Sequence, residues 1–148
     1  MGDERAFVRF AVVVDAPRAD VFRAWTDPEE LKQWWGPGAF TTPSATVDLR
    51  PGGRYELVMQ PTGGGDPFVL GGEYREVTPP ERLVYTWRWE VGPPDPRETL
   101  VTVEFRDLGA QTEVILVHDN FVGPGPLEPY REGWESGLEK LSVHLDRS

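Results

Sequence analysis

Hydrophobic and polar positions along the chain change period twice. From Ala6 to Val14 they alternate, with Val8, Phe10, Val12 and Val14 in one file and Arg9 in the other, which is the period-two pattern of a strand. Asp15-Ala16-Pro17 then supplies a capping carboxylate and an early proline. Together they predict a helix whose buried side carries Val21, Phe22 and Trp25. Asp27-Pro28-Glu29-Glu30 repeats the grammar: Asp27 is expected to cap the Glu30 amide, Glu30 to answer it, and a second short helix to run to about Trp35. Gly36-Pro37-Gly38 stops that helix, since proline disfavours helical geometry in the residue before it.

Alternation returns between Ala45 and His118 in short runs broken at Pro51-Gly52-Gly53, Pro61 to Pro67, Thr78-Pro79-Pro80, Val91 to Pro96 and Asp107 to Ala110. The pattern predicts an antiparallel meander. Its concave face should carry Tyr55, Leu57 and Met59, then Leu83, Tyr85, Trp87 and Trp89, then Val101, Val103 and Phe105, then Val114, Leu116 and His118. Beyond the Gly/Pro-rich link at Gly123 to Pro126, Tyr130, Trp134, Leu138, Leu141 and Leu145 recur at helical spacing along one face of a long helix. Gly133 and Gly137 interrupt that helix at a cost of about 1 kcal/mol each relative to alanine, which close packing or a pocket edge would explain. The expected class is α+β in a helix-grip layout. A curved antiparallel sheet wraps around a long C-terminal α-helix, two short helices follow the first strand, and residues 1–148 form one domain.

Composition narrows the function. An apolar fraction of 39% with 11% aromatics is too rich for a disordered chain, and no run approaches the roughly 18 apolar residues of a membrane span. The N-terminus lacks an export or lipid-anchor signal, so a cytoplasmic protein is expected. Twenty-five acidic against fifteen basic residues give a net charge of −10, which repels a phosphate backbone and argues against nucleic acid as a partner. The absence of cysteine removes disulfides, thiol nucleophiles and thiolate zinc sites, and the two histidines show no HExxH spacing. No metal and no cofactor are expected. The glycine clusters at 52–53 and 63–65 lack the GK[ST] ending of a phosphate loop and read as hairpin turns, and no GxSxG elbow occurs.

Local wording adds a resemblance. Val21 to Pro28 (VFRAWTDP), Trp34-Trp35-Gly36-Pro37, Pro51-Gly52-Gly53, Gly72 to Trp87 (GEYREVTPPERLVYTW) and Gly133-Trp134 with Leu138 and Leu141 resemble the family named for the activator of the ninety-kilodalton heat-shock protein ATPase. The likeness spans about residues 5 to 147. It implies membership of the START-like (SRPBCC), birch-pollen-allergen-like superfamily, whose members bind an apolar ligand between sheet and terminal helix. Some relatives are cyclases or hydroxylase components. The name-giving co-chaperone uses a separate N-terminal domain for much of its chaperone contact, and no room for one is expected in this chain.

The expected cavity residues are Trp35, Phe40, Tyr55, Leu57, Tyr85, Trp87, Val101, His118, Phe121, Trp134 and Leu138, with Trp35 and Trp134 the preferred ligand contacts. For any one tryptophan, core filling is the stronger expectation, because a sheet that curls around one helix needs large side chains. His118 ends an apolar file and should point inward, either as an acid or base or as a hydrogen-bonded core histidine. His144 is expected to face solvent without a function. Glu104 and Glu113 fall on the outer file and should be solvated or paired, while a bulge near Glu76 affects the facing of Glu73. The preferred reading is a binding domain for an apolar or aromatic small molecule, with no catalytic residue assigned. The alternatives are a cyclase- or hydrolase-type enzyme using cavity Tyr and His residues, and a chaperone-linked interaction domain. The sequence leaves a homodimer open.

Overall fold

The computed structural model describes residues 7–36, 38–123 and 125–146; Ala6, Pro37 and Pro124, named above, lie outside them. The alternating runs form seven strands: β1 (Val8–Val14), β2 (Phe40–Val47), β3 (Arg54–Pro61), β4 (Phe68–Thr78), β5 (Arg82–Val91), β6 (Thr99–Asp107) and β7 (Thr112–Asp119). They make one antiparallel sheet in the order β1-β7-β6-β5-β4-β3-β2. The six later strands are a plain meander, and β1 joins beside the last of them. Two short helices, α1 (Arg18–Thr26) and α2 (Pro28–Trp34), follow β1, and α3 (Glu128–Asp146) closes the fold against the concave face.

Register carries the inward files across the sheet. His118 lies opposite Val8 on one side and Val101 on the other, Val101 opposite Tyr85, and Tyr85 opposite Tyr74. All of these side chains are buried, as are Leu57, Met59, Leu83, Val103, Phe105, Val114 and Leu116. From the other side, α3 presents Tyr130, Trp134, Leu138, Leu141 and Leu145, the stripe that helical spacing predicts. The outer file is ionic: Arg82 bridges Glu76 and Glu104, Arg106 meets Glu113, and Arg75 meets Glu73. Strand register shifts between Tyr74 and Glu76, where the sequence suggests a bulge.

Four local details depart from the sequence reading. The first helix starts at Arg18 with Pro17 as its N-cap and no side-chain cap. Asp15 is too far upstream to reach the first turn, and its carboxylate accepts from Gln111 Nε2 at 2.6 Å instead. Asp27 does cap α2, but through the Glu29 amide at 2.8 Å rather than that of Glu30. Glu30 does not answer it, because its carboxylate lies 2.6 Å from His144 Nε2. His144 is accordingly half-buried against α2 and not a free surface side chain. Finally, β2 begins at Phe40, not near Ala45. A register shift between Thr41 and Ser44, around Pro43, breaks the alternation that would have revealed it.

Gly72 fits only as glycine. A Cβ there would run into the Thr86 carbonyl oxygen and lie 2.7 Å from the Tyr55 ring, which is itself held by a 2.7 Å hydrogen bond from the Tyr55 hydroxyl to that same carbonyl. Gly72→Ala is expected to cost about 1–3 kcal/mol of stability by overpacking, read as a lowered urea midpoint. An unchanged midpoint would show that β3 and β4 yield at this point.

Candidate functional site

Six tryptophans meet at the junction of α2, α3 and the sheet. Ring centroids run from Trp25 to Trp34 at 5.1 Å, Trp34 to Trp35 at 5.3 Å, Trp35 to Trp134 at 5.5 Å, Trp134 to Trp87 at 5.5 Å and Trp87 to Trp89 at 5.6 Å. Most contacts are edge-on or tilted, the geometry that ring quadrupoles favour. Backbone anchors hold the cluster from the α2 side. The Trp34 indole donates to the Ala24 carbonyl at 2.8 Å, and the Trp35 carbonyl accepts from Thr42 Oγ1 at 2.6 Å. Gly36 turns the chain directly afterwards at φ +110°, with Phe40 and Thr42 too close to admit a side chain comfortably. Its carbonyl accepts from Lys140 Nζ at 2.6 Å; the same amine donates to the Phe40 carbonyl at 3.0 Å, so α3 is tied to this loop.

On the sheet side the anchor is His118, which has no exposed surface. Trp134 Nε1 lies 2.9 Å from its Nδ1, and Thr99 Oγ1 lies 2.7 Å from its Nε2. An indole nitrogen only donates, so Nδ1 accepts and the ring proton sits on Nε2, pointing at Thr99. The Thr99 hydroxyl donates onward to the Trp87 carbonyl at 3.3 Å. Burial pushes the imidazole pKa down to about 3, with the Arg97 guanidinium adding to the fall and Asp95 opposing it. Both ring nitrogens are engaged and the ring is neutral. His118 is therefore a hydrogen-bonded core histidine.

A second polar cluster clasps the loop after β5 onto α3. Arg97 grips Asp95 through Nε at 2.9 Å and Nη2 at 2.7 Å, and Nη2 also donates to the Pro126 carbonyl at 2.8 Å. Tyr130 donates to Asp95 at 2.7 Å and accepts from Trp89 Nε1 at 3.2 Å, while the guanidinium sits 5.1 Å above the Phe121 ring. These bonds, the Arg97 contact first, hold the Asp95 carboxyl down to about 2; burial and then the bond to Asp95 push the Tyr130 hydroxyl up to about 12.

Between the two clusters lies an apolar cleft of about 80 Å³, walled by Trp34, Trp35, Gly36, Met59, Trp87, Trp89, Pro129, Tyr130, Gly133, Trp134 and Gly137. Of the residues expected from sequence, Trp35, Trp87 and Trp134 come together here. Tyr55, Leu57 and Tyr85 surround a separate void of about 10 Å³, near the lower limit for one water. Val101 and Leu138 are core residues, Phe40 is half-buried against Phe68, and Phe121 packs at a tilt against His118 at a centroid distance of 4.7 Å. The sequence reading places Trp34 and Trp89 near the cavity as candidate stacking rings, though not among its named contacts, and Met59 and Tyr130 only on the concave face and the α3 stripe. It did flag Gly133 and Gly137, and both border the cleft. The Asp95–Arg97 clasp leaves no trace in the sequence beyond two opposite charges in a turn.

The sequence matches the model of the activator of Hsp90 ATPase homolog 1-like proteins over residues 15–146. The chain belongs to this family. Among curated proteins nothing matches it. Solved structures agree on the fold: protein CV1439 from Chromobacterium violaceum is 27% identical with a TM-score of 0.84, the match covering 95% of this chain and 98% of that one. The AHSA1 protein from Silicibacter pomeroyi is 26% identical with a TM-score of 0.76 over 96% and 99% of the two chains. DynU16, a protein in the dynemicin biosynthetic locus, is 26% identical with a TM-score of 0.72, over 95% of this chain and 47% of that one. Among the described residues no helix is long and apolar enough to cross a membrane, and no three His, Asp or Glu side chains group as a metal would require.

The neutral His118 gives this AHSA1-like domain a defined response to acid. Above pH 6.5 the ring is neutral whether the chain is folded or not. As pH falls below 6.5 the unfolded chain takes up a proton that the native ring refuses until about pH 3, so stability drops by up to about 1.4 kcal/mol per pH unit across that window. Asp95 acts in the same direction lower down: its stabilisation, present above 3.8, is lost as pH falls toward 2. Long-range 1H–15N spectra are expected to show His118 as the neutral Nε2–H form at pH 4.5, with the urea midpoint falling between pH 6.5 and 4. A native imidazolium at pH 5 would contradict the assignment.

Proposed function

We propose that this AHSA1-like protein is a binding module for a small apolar molecule, seated against Trp35, Trp87 and Trp134 in the cleft between α2, the sheet and α3. The observation that carries the reading is Gly137. It lies in the middle of α3, is buried, and yet a Cβ built on it would meet nothing within 4 Å. A mid-helix glycine costs about 1 kcal/mol relative to alanine, and here no close packing accounts for it. The space in front of it is the cleft itself. The cleft is well below the roughly 300–1,000 Å³ of drug-sized pockets. It suits a single ring or a short branched group, or one end of a longer molecule. The engaged nitrogens of His118 favour binding over proton-transfer chemistry.

Two substitutions at one position test this. Gly137→Ala is expected to keep the fold and gain up to about 1 kcal/mol of stability. Gly137→Leu should fill the cleft and abolish the saturable change in tryptophan fluorescence that small alicyclic and aromatic compounds produce in the unaltered protein. Retained binding in a folded Gly137→Leu variant would move the site elsewhere, and indifference of the unaltered protein to the whole panel would defeat the proposal.

A further inference from the structure

Indole N–H groups need acceptors when buried, and this chain supplies them with care. Trp25 donates to the Tyr85 hydroxyl, Trp34 to the Ala24 carbonyl, Trp89 to the Tyr130 hydroxyl and Trp134 to His118 Nδ1. Trp35 and Trp87 alone among the six have shielded N–H groups with no partner among the described residues. Both line the cleft, with ring centroids 6.0 Å apart. An unpaired buried donor forfeits its hydration without return; neither N–H is open to water, so an acceptor that shifts a ring and reaches one of them recovers a loss that the protein itself leaves standing.

From this geometry we infer that the ligand is an uncharged carbonyl compound, its oxygen hydrogen-bonded by the indole N–H of Trp35 or Trp87 and its hydrocarbon part enclosed by the surrounding rings. The inference rests on the binding reading above and narrows it to a chemical class. Neutrality follows from the walls. No charged side chain lines the cleft; the neighbouring Arg97 is committed to Asp95 and Pro126, and Lys140 to the Gly36 and Phe40 carbonyls. A carboxylate placed there would be buried without a counter-charge, whereas a ketone, aldehyde or ester oxygen needs only a donor. The arrangement also discriminates against pure hydrocarbons of the same shape, which would leave both N–H groups unpaired.

Three cyclohexyl probes separate the possibilities: cyclohexanone, its isostere methylenecyclohexane, and the larger anion cyclohexanecarboxylate, titrated into 15N-labelled protein with the six indole signals assigned. None of the probes is aromatic, so ring-current shifts do not confuse the indole protons. Cyclohexanone is expected to bind about tenfold more tightly than methylenecyclohexane, the order expected for one hydrogen bond. It should also move the Trp35 or Trp87 indole proton downfield, with the carboxylate weakest. Equal affinity for ketone and alkene with both indole protons unmoved would overturn the inference while leaving the cleft as a binding site. In that case the two N–H groups belong to the faces of the surrounding rings. Tightest binding of the carboxylate would overturn the neutrality. Failure of all three to bind would instead remove the binding reading beneath it.

Discussion

The indole N–H of Trp134 meets His118 Nδ1 at 2.9 Å, and that buried bond ties the rotation of α3 directly to the sheet. A helix packed only through leucines tolerates some slippage, because dispersion contacts have little directionality. A buried donor facing a buried acceptor does not, since parting them strands both. With Trp134 so held, Gly133 and Gly137, one turn apart on the adjoining stripe, fall against the cleft, and Tyr130 reaches Asp95. The bond works only while the imidazole is neutral, which is the state that complete burial enforces. Burial, tautomer and helix orientation are thus one arrangement.

The tryptophans fill most of the space that a helix-grip sheet encloses, and the cleft is what remains between their edges. Each indole brings a large apolar area and one polar atom that must be accommodated. The acceptors come from far along the chain: a tyrosine on β5, a carbonyl in α1, a tyrosine on α3 and the histidine on β7. The aromatic cluster therefore joins elements from nearly every part of the sequence, and its hydrogen bonds set which rings are fixed and which are held by packing alone.

Much of this was legible beforehand. The inward files on β3, β5, β6 and β7 and the Tyr130–Leu145 stripe follow from period alone, since burial on one face leaves few other registers. What period could not deliver was the choice among partners. Asp15 looks like a helix cap until Gln111, remote in sequence, proves to be its partner, and Glu30 looks like half of a capping box until His144 takes it. Tyr55, Leu57 and Tyr85 face inward as expected but enclose a different void from Trp87 and Trp134, with Trp35 walling both. Alternation says which side of the sheet a residue faces, while the shape of the space depends on how large side chains divide it. The clasp of Arg97 on Asp95 lies in a turn, where no periodic signal exists.

The pairing of β1 with β7 has a consequence in time. Among the described residues the early strand Val8–Val14 pairs in the sheet only with the late strand Thr112–Asp119, and the Ala16 carbonyl likewise waits for the Thr112 hydroxyl. During synthesis a strand of mostly β-branched residues must therefore remain unpaired until nearly the whole meander has left the ribosome, and such contacts between distant segments form slowly. A chain that carries β1 but not yet β7 exposes an unpaired strand, and the hazard of misassembly falls in that interval.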